Sequence, residues 1–129
     1  DILVSAGLQG QISGENASRV RARIVAEAAN GATSPEADKV LYDNGVTVIP
    51  DLLCTAGGFV VGYFEWVQDL QSFFWTDAEV AAQLERVMHD AALAVMAAAE
   101  RHAVDLRTAA LMVGVGRAAE ATTLRGLYP

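Results

Sequence analysis

The sequence predicts an α/β fold in which parallel strands are followed by long C-terminal helices. Three observations carry this. Apolar runs of strand length alternate with turn-rich polar stretches over roughly residues 1–55. The best-marked helix of that half lies between two such runs, the spacing of a strand–helix–strand unit and hence of a parallel sheet. From Ala56 onward the pattern is almost wholly helical. The whole chain, 1–129, reads as one portion of one domain.

Ile2 to Val4 is a short apolar run suited to a buried strand. "SGENASRVRA" follows, turn chemistry and then a short basic helical stretch. Ile24 to Ala28 is the second strand. In "NGATSPEADKVLYDNG", Ser34 is placed to cap a helix, and Pro35 takes the first helical position, where its missing N–H costs nothing. Glu36 and Asp38 favour the positive end of the helix dipole, and Gly45 supplies a left-handed stop. Val46 to Ile49 is the third strand, closed by Pro50. Thr76 and Glu79 have capping-box spacing, opening a helix to about Ala103 with an apolar stripe at Val80, Leu84, Val87, Ala91 and Val95. Asp105 caps a last helix that ends at Gly126.

With 129 residues and 53% hydrophobic residues, the chain is large enough for a sizeable core. A net charge of -7 argues against a general nucleic-acid or anionic-membrane surface. No apolar run reaches the ~18 residues of a membrane span. The single cysteine, Cys54, cannot form an internal disulfide and fits a reducing, cytoplasmic setting. With no base nearby in sequence, it reads as a small buried residue. "DILVSA" has no basic leader and no initiating Met, so a piece of a longer protein is expected.

"GVGRAA", Gly114 to Ala119, matches the dinucleotide fingerprint, but it lies within a helix and no acid follows about 20 residues on. Close packing against another element is the expected reason for its glycines. His89 and His102 lack ligand-spaced partners, so no metal is expected.

Two segments carry a functional signal. Asn30-Gly31 follows the second strand, at the carboxyl edge where open parallel sheets bind ligands. Asn30 offers amide donors and a carbonyl acceptor to a ribose or carboxamide, or serves as a plain turn residue. "PDLLCTAGG" ends the third strand at the same edge, where Gly57 and Gly58 allow backbone to approach a ligand.

Together "VAEAANGATSPEAD", "VIPDLLCTAGGFVVGYFEWVQ", "FFWT" and "HAVDLRTAALM…R…LRGLYP" resemble the C-terminal part of hexameric glutamate dehydrogenases, within the Glu/Leu/Phe/Val dehydrogenase family. The resemblance covers the whole chain. It implies the second half of a Rossmann-type NAD(P)-binding domain, with an upstream substrate domain that carries the catalytic Lys and Asp. No catalytic residue is therefore expected in this chain. It implies NAD or NADP as cofactor and oxidative deamination of L-glutamate to 2-oxoglutarate and ammonia. It also implies a homo-hexamer when full length, or a hetero-oligomer with a paralogue. The isolated piece is expected to be inactive and to self-associate through its uncovered sheet edge and apolar faces.

By the same resemblance Ala6, Asn30 and Thr55 face the nucleotide, and Phe59 and Gly62 face the substrate. Three of these depart from the family pattern. Thr55 replaces an asparagine, Phe59 a small apolar residue, and Gly62 a serine that binds the glutamate side-chain carboxylate. Ser5, Gly7 and Gly10 depart as well. Two other readings follow from these departures: a non-catalytic regulatory subunit, or a dehydrogenase for a less polar amino acid such as leucine or phenylalanine.

Overall fold

The computed structural model describes residues 1–126; the end of the "LRGLYP" motif, residues 127–129, lies outside them. Three strands, β1 (Ile2–Ser5), β2 (Ile24–Glu27) and β3 (Thr47–Ile49), form a parallel sheet in the order β1-β2-β3. The register aligns Ser5 with Glu27 and Ala26 with Ile49, so all three strands reach the carboxyl edge together. A loop with one short 3₁₀ turn (Ala17–Arg19) joins β1 to β2, and α1 (Pro35–Asp43) joins β2 to β3.

The caps of α1 are local, and they form as expected. The Ser34 side chain accepts from the Ala37 N–H, Pro35 sits in the first turn, and Gly45 takes φ +72° just past the helix end. One face of α1 closes over the sheet. Ile12, Ala17, Val25, Ala37 and Leu41 are buried there, with Val20, Val40, Val46 and Val48 packed around them. Leu41 and Val25 are fully inaccessible, and burying each such side chain stabilises by about 1.5–3 kcal/mol.

After β3 the helix starts earlier than the sequence suggests. Pro50 caps a short α2 (Asp51–Cys54), Thr55 interrupts it, and α3 (Ala56–Gln71) continues. The Thr76–Glu79 capping box opens α4 (Asp77–His102), and the Asp105 side chain caps α5 (Leu106–Arg125). α4 and α5 share a second core of Val95, Ala98 and Ala109, with Ala99, Val104, Leu106, Ala110 and Val113 against it.

Two expectations about packing are corrected. β1 is an edge strand, with Ile2 66% and Val4 58% exposed, because β2 lines one side only and, among the described residues, no helix layer covers it. Gly114 and Gly116 face open space, since a Cβ on either would meet nothing within 4 Å. Nothing in the described residues demands those glycines.

Candidate functional site at the carboxyl edge

The carboxyl ends of β2 and β3 meet around a buried charged centre that single residues of the sequence do not advertise. Glu27, the last residue of β2, is 0% exposed. A buried carboxylate needs donors on its lone pairs. Glu27 Oε1 accepts from the Thr33 N–H at 2.8 Å. Its Oε2 accepts from the Asp51 N–H at 2.9 Å and from Arg107 Nη2 at 2.6 Å. Arg107 comes from the first turn of α5, eighty residues away in sequence.

Arg107 spends its planar fork on three carboxylates. Nη1 donates to Asp51 Oδ1 at 2.9 Å, and Nε donates to Asp38 Oδ2 at 2.5 Å. Burial disfavours the guanidinium charge, but hydrogen bonds to Asp38 and Glu27 outweigh it and raise its pKa. Burial pushes the Asp38 carboxyl up, against the pull of Arg107. Burial also acts to raise Asp51. There the Gly31 and Leu52 N–H groups and Arg107 prevail, holding it below the ordinary carboxylate range.

This centre shapes the loop after β2. Asp51 Oδ2 accepts from the Gly31 N–H at 2.8 Å. Gly31 takes φ +59°, a left-handed conformation that glycine adopts without steric cost. Its carbonyl accepts from the Gly10 N–H at 2.8 Å, and Ile12 bridges to Thr33 in parallel fashion. The loop after β1 and the loop after β2 are thereby stitched together. Thr33 Oγ1 is buried without a partner.

The structure brings together two of the sequence-predicted residues. Asn30, exposed, lies with its Oδ1 3.4 Å from Thr55 Oγ1. The Thr55 hydroxyl has one proton and a shorter contact, 2.8 Å, to the Asp51 carbonyl oxygen. Ala6 stands just past β1 at the same edge, and it is exposed. Phe59 and Gly62 lie on the first two turns of α3. Phe59 is 81% exposed, and a Cβ on Gly62 would meet nothing within 4 Å. Gly58 is equally open, and a Cβ on Gly57 would make only an ordinary contact with Leu84. Among the described residues, nothing makes a close approach to Gly58 or Gly62.

Cys54, the last residue of α2, is exposed rather than buried; partial burial and nearby carboxylates still push its thiol up. Phe59, Tyr63, Trp66 and Leu70 follow helical spacing along α3 and are all exposed, whereas Phe64 is buried with its ring edge-on to Trp75. Among the described residues, no His, Cys, Asp or Glu cluster is placed to hold a metal ion, and no helix is long and apolar enough to cross a membrane.

Sequence reasoning missed the Glu27–Arg107 centre. A signal existed: a glutamate at the end of an otherwise apolar strand needs a cation, and Arg107 directly follows the cap and first residue of an Ala-rich helix.

The glutamate/leucine/phenylalanine/valine dehydrogenase family model matches residues 1–126. The chain belongs to that family. It is 52% identical to a glutamate dehydrogenase of Thermotoga maritima over 129 residues, which is all of this chain and 31% of that protein. It is 46% identical over 126 residues to a catabolic NAD-specific glutamate dehydrogenase of Bacillus subtilis, covering 98% of this chain and 30% of that one. Among solved structures, the leucine-bound form of a hetero-hexameric glutamate dehydrogenase from Thermus thermophilus superposes with a TM-score of 0.92 at 44% identity. That match covers 99% of this chain and 31% of the Thermus chain. This family member thus spans about a third of the length of the relatives it matches.

Proposed function

We propose that this chain is the C-terminal portion of the nucleotide-binding domain of a cytoplasmic, hexameric glutamate dehydrogenase that uses NAD. The observation carrying the proposal is the match, over 98% of this chain, to NAD-specific glutamate dehydrogenases of Bacillus and Staphylococcus. The meeting of Asn30 and Thr55 at the open carboxyl edge supports it.

The residues present fit a dinucleotide. The edge offers an exposed amide at Asn30, and Gly58 leaves room for close backbone approach. NAD, when bound, supplies the acceptor for hydride taken from the amino acid. In this reading Asn30 orients the nicotinamide ribose or carboxamide, and Thr55 flanks it. Ala6 packs near the nucleotide. Phe59 and Gly62 border the substrate, and the groups that move protons belong to the upstream domain. The exposed apolar stripe of α3 is the kind of surface that other parts of such an assembly cover.

A second reading, a regulatory subunit in a hetero-oligomer, is favoured by Phe59 and Gly62. The absence of a hydroxyl at Gly62 removes one hydrogen bond to a buried carboxylate, about 1.5–3 kcal/mol. The Thermus relative named hetero-hexameric makes such a partnership concrete. The test is turnover by the full-length protein with glutamate, leucine and phenylalanine, each with NAD and with NADP. Glutamate turnover with NAD supports the first reading. Absence of turnover with all three supports the second.

A further inference from the structure

We propose that Arg107, Glu27 and Asp51 are positioning residues for the nucleotide, fixing where Asn30 and Thr55 stand at the carboxyl edge. The inference rests on the reading of that edge as the nicotinamide side.

Arg107 does not touch a ligand itself. Its Nε, Nη1 and Nη2 are all engaged by carboxylates of this chain. Its influence passes through those carboxylates to backbone. Asp51 is the junction. One of its side-chain oxygens takes Arg107 and the other takes the Gly31 N–H, which fixes the peptide leaving Asn30. Its main-chain carbonyl takes the Thr55 hydroxyl, and its own N–H is held by Glu27. Glu27 grips the far end of the same loop through the Thr33 N–H. The loop carrying Asn30 is therefore clamped at two points just after the asparagine, at Gly31 by Asp51 and at Thr33 by Glu27. One guanidinium holds both clamps in a common geometry.

A lysine cannot replace that function. Its ammonium is a point charge without the planar fork, so it cannot serve Glu27 and Asp51 in the same arrangement. Arg107→Lys keeps the charge while loosening the clamps. Asp51→Asn keeps the side-chain shape and one acceptor, and it serves as the milder variant should Arg107→Lys fail to fold. Leu41→Val, a truncation under α1 outside the clamp, reports what loss of stability alone does.

The test uses the full-length protein. Steady-state kinetics with NAD and glutamate, NAD binding by calorimetry, and hydrogen exchange over residues 28–34 are measured for each variant. For Arg107→Lys and Asp51→Asn we expect the KM and Kd for NAD to rise about tenfold, the scale of one charge-assisted hydrogen bond. Exchange over 28–34 accelerates, while the KM for glutamate stays near the wild-type value. Leu41→Val lowers the Tm and leaves NAD affinity and exchange in that segment unchanged. Unchanged NAD affinity in both clamp variants overturns the proposal, as does an equal loss in Leu41→Val. If the wild-type protein binds NAD but turns over no glutamate, the enzyme reading fails, and binding and exchange still decide the role of the clamp. If it binds no NAD, the proposal falls with it.

Discussion

Glu27→Gln tests the buried centre most directly. The glutamate is inaccessible and accepts three hydrogen bonds, from Thr33 N–H, Asp51 N–H and Arg107. Glutamine has the same shape but only one acceptor oxygen. Its best arrangement keeps that oxygen where Asp51 N–H and Arg107 converge. Its NH₂ then faces the Thr33 N–H, donor against donor. The unsatisfied amide costs about 1–3 kcal/mol, and weakening of the charge-assisted bond to Arg107 adds about 1 kcal/mol. Removing one of three acids around the guanidinium relieves some repulsion and offsets part of this. The expected net loss is roughly 1–3 kcal/mol, a large share of the ~5–15 kcal/mol that holds a typical domain. Urea unfolding of the protein, followed by circular dichroism at pH 7, should show the midpoint falling by about 1–2 M. A midpoint within a few tenths of molar of wild type would refute the reasoning, because the carboxylate would then be dispensable to the fold.

Other outcomes follow from the same geometry. Thr33→Val removes a buried hydroxyl that has no partner, and it should leave the Tm equal or higher; a clear drop would reveal a bond to Oγ1. Gly116→Ala places a methyl in open space within α5 and should stabilise by about 0.5–1 kcal/mol in thermal unfolding. A loss in the full-length protein would mean that another surface packs there. Asp51, held below its ordinary value, contributes stability that is present above the unfolded pKa and lost as pH falls through the folded one. Asp38, raised by burial, works with the opposite sign, since the native state takes up its proton first as pH falls. Acid unfolding should therefore flatten in Asp51→Asn and steepen in Asp38→Asn.

Features set by neighbours in sequence were legible. The Ser34 cap, the Pro35 start, the Gly45 stop and the Thr76–Glu79 box depend on residues one to four positions apart, and each forms. The parallel pairing of β2 with β3 was legible too, because a helix between strands leaves little alternative. Asn30 was marked by its place after β2, and Thr55 by the family resemblance. What failed needs knowledge of neighbours far along the chain. Val4 reads as core by hydropathy, yet a strand is covered only if something lies beside it. Cys54 reads as buried by residue type, yet it stands exposed at the end of α2. The charged centre joins positions 27, 38, 51 and 107 across separations of 56 to 80 residues. Asp38 and Asp51 look like ordinary surface residues when seen alone.

The two tryptophans are set in opposite surroundings. Trp66 lies on the exposed face of α3, 57% accessible and tilted against Tyr63, whereas Trp75 is partly covered beside Phe64 and its main-chain N–H donates to Gln68 Oε1 at 2.6 Å. The molecule thereby carries its own optical pair. Contact with any second body on the α3 face would shield Trp66 from water and shift its emission to the blue, while Trp75 stays as the internal reference. Docking on that face can be followed in solution without a label.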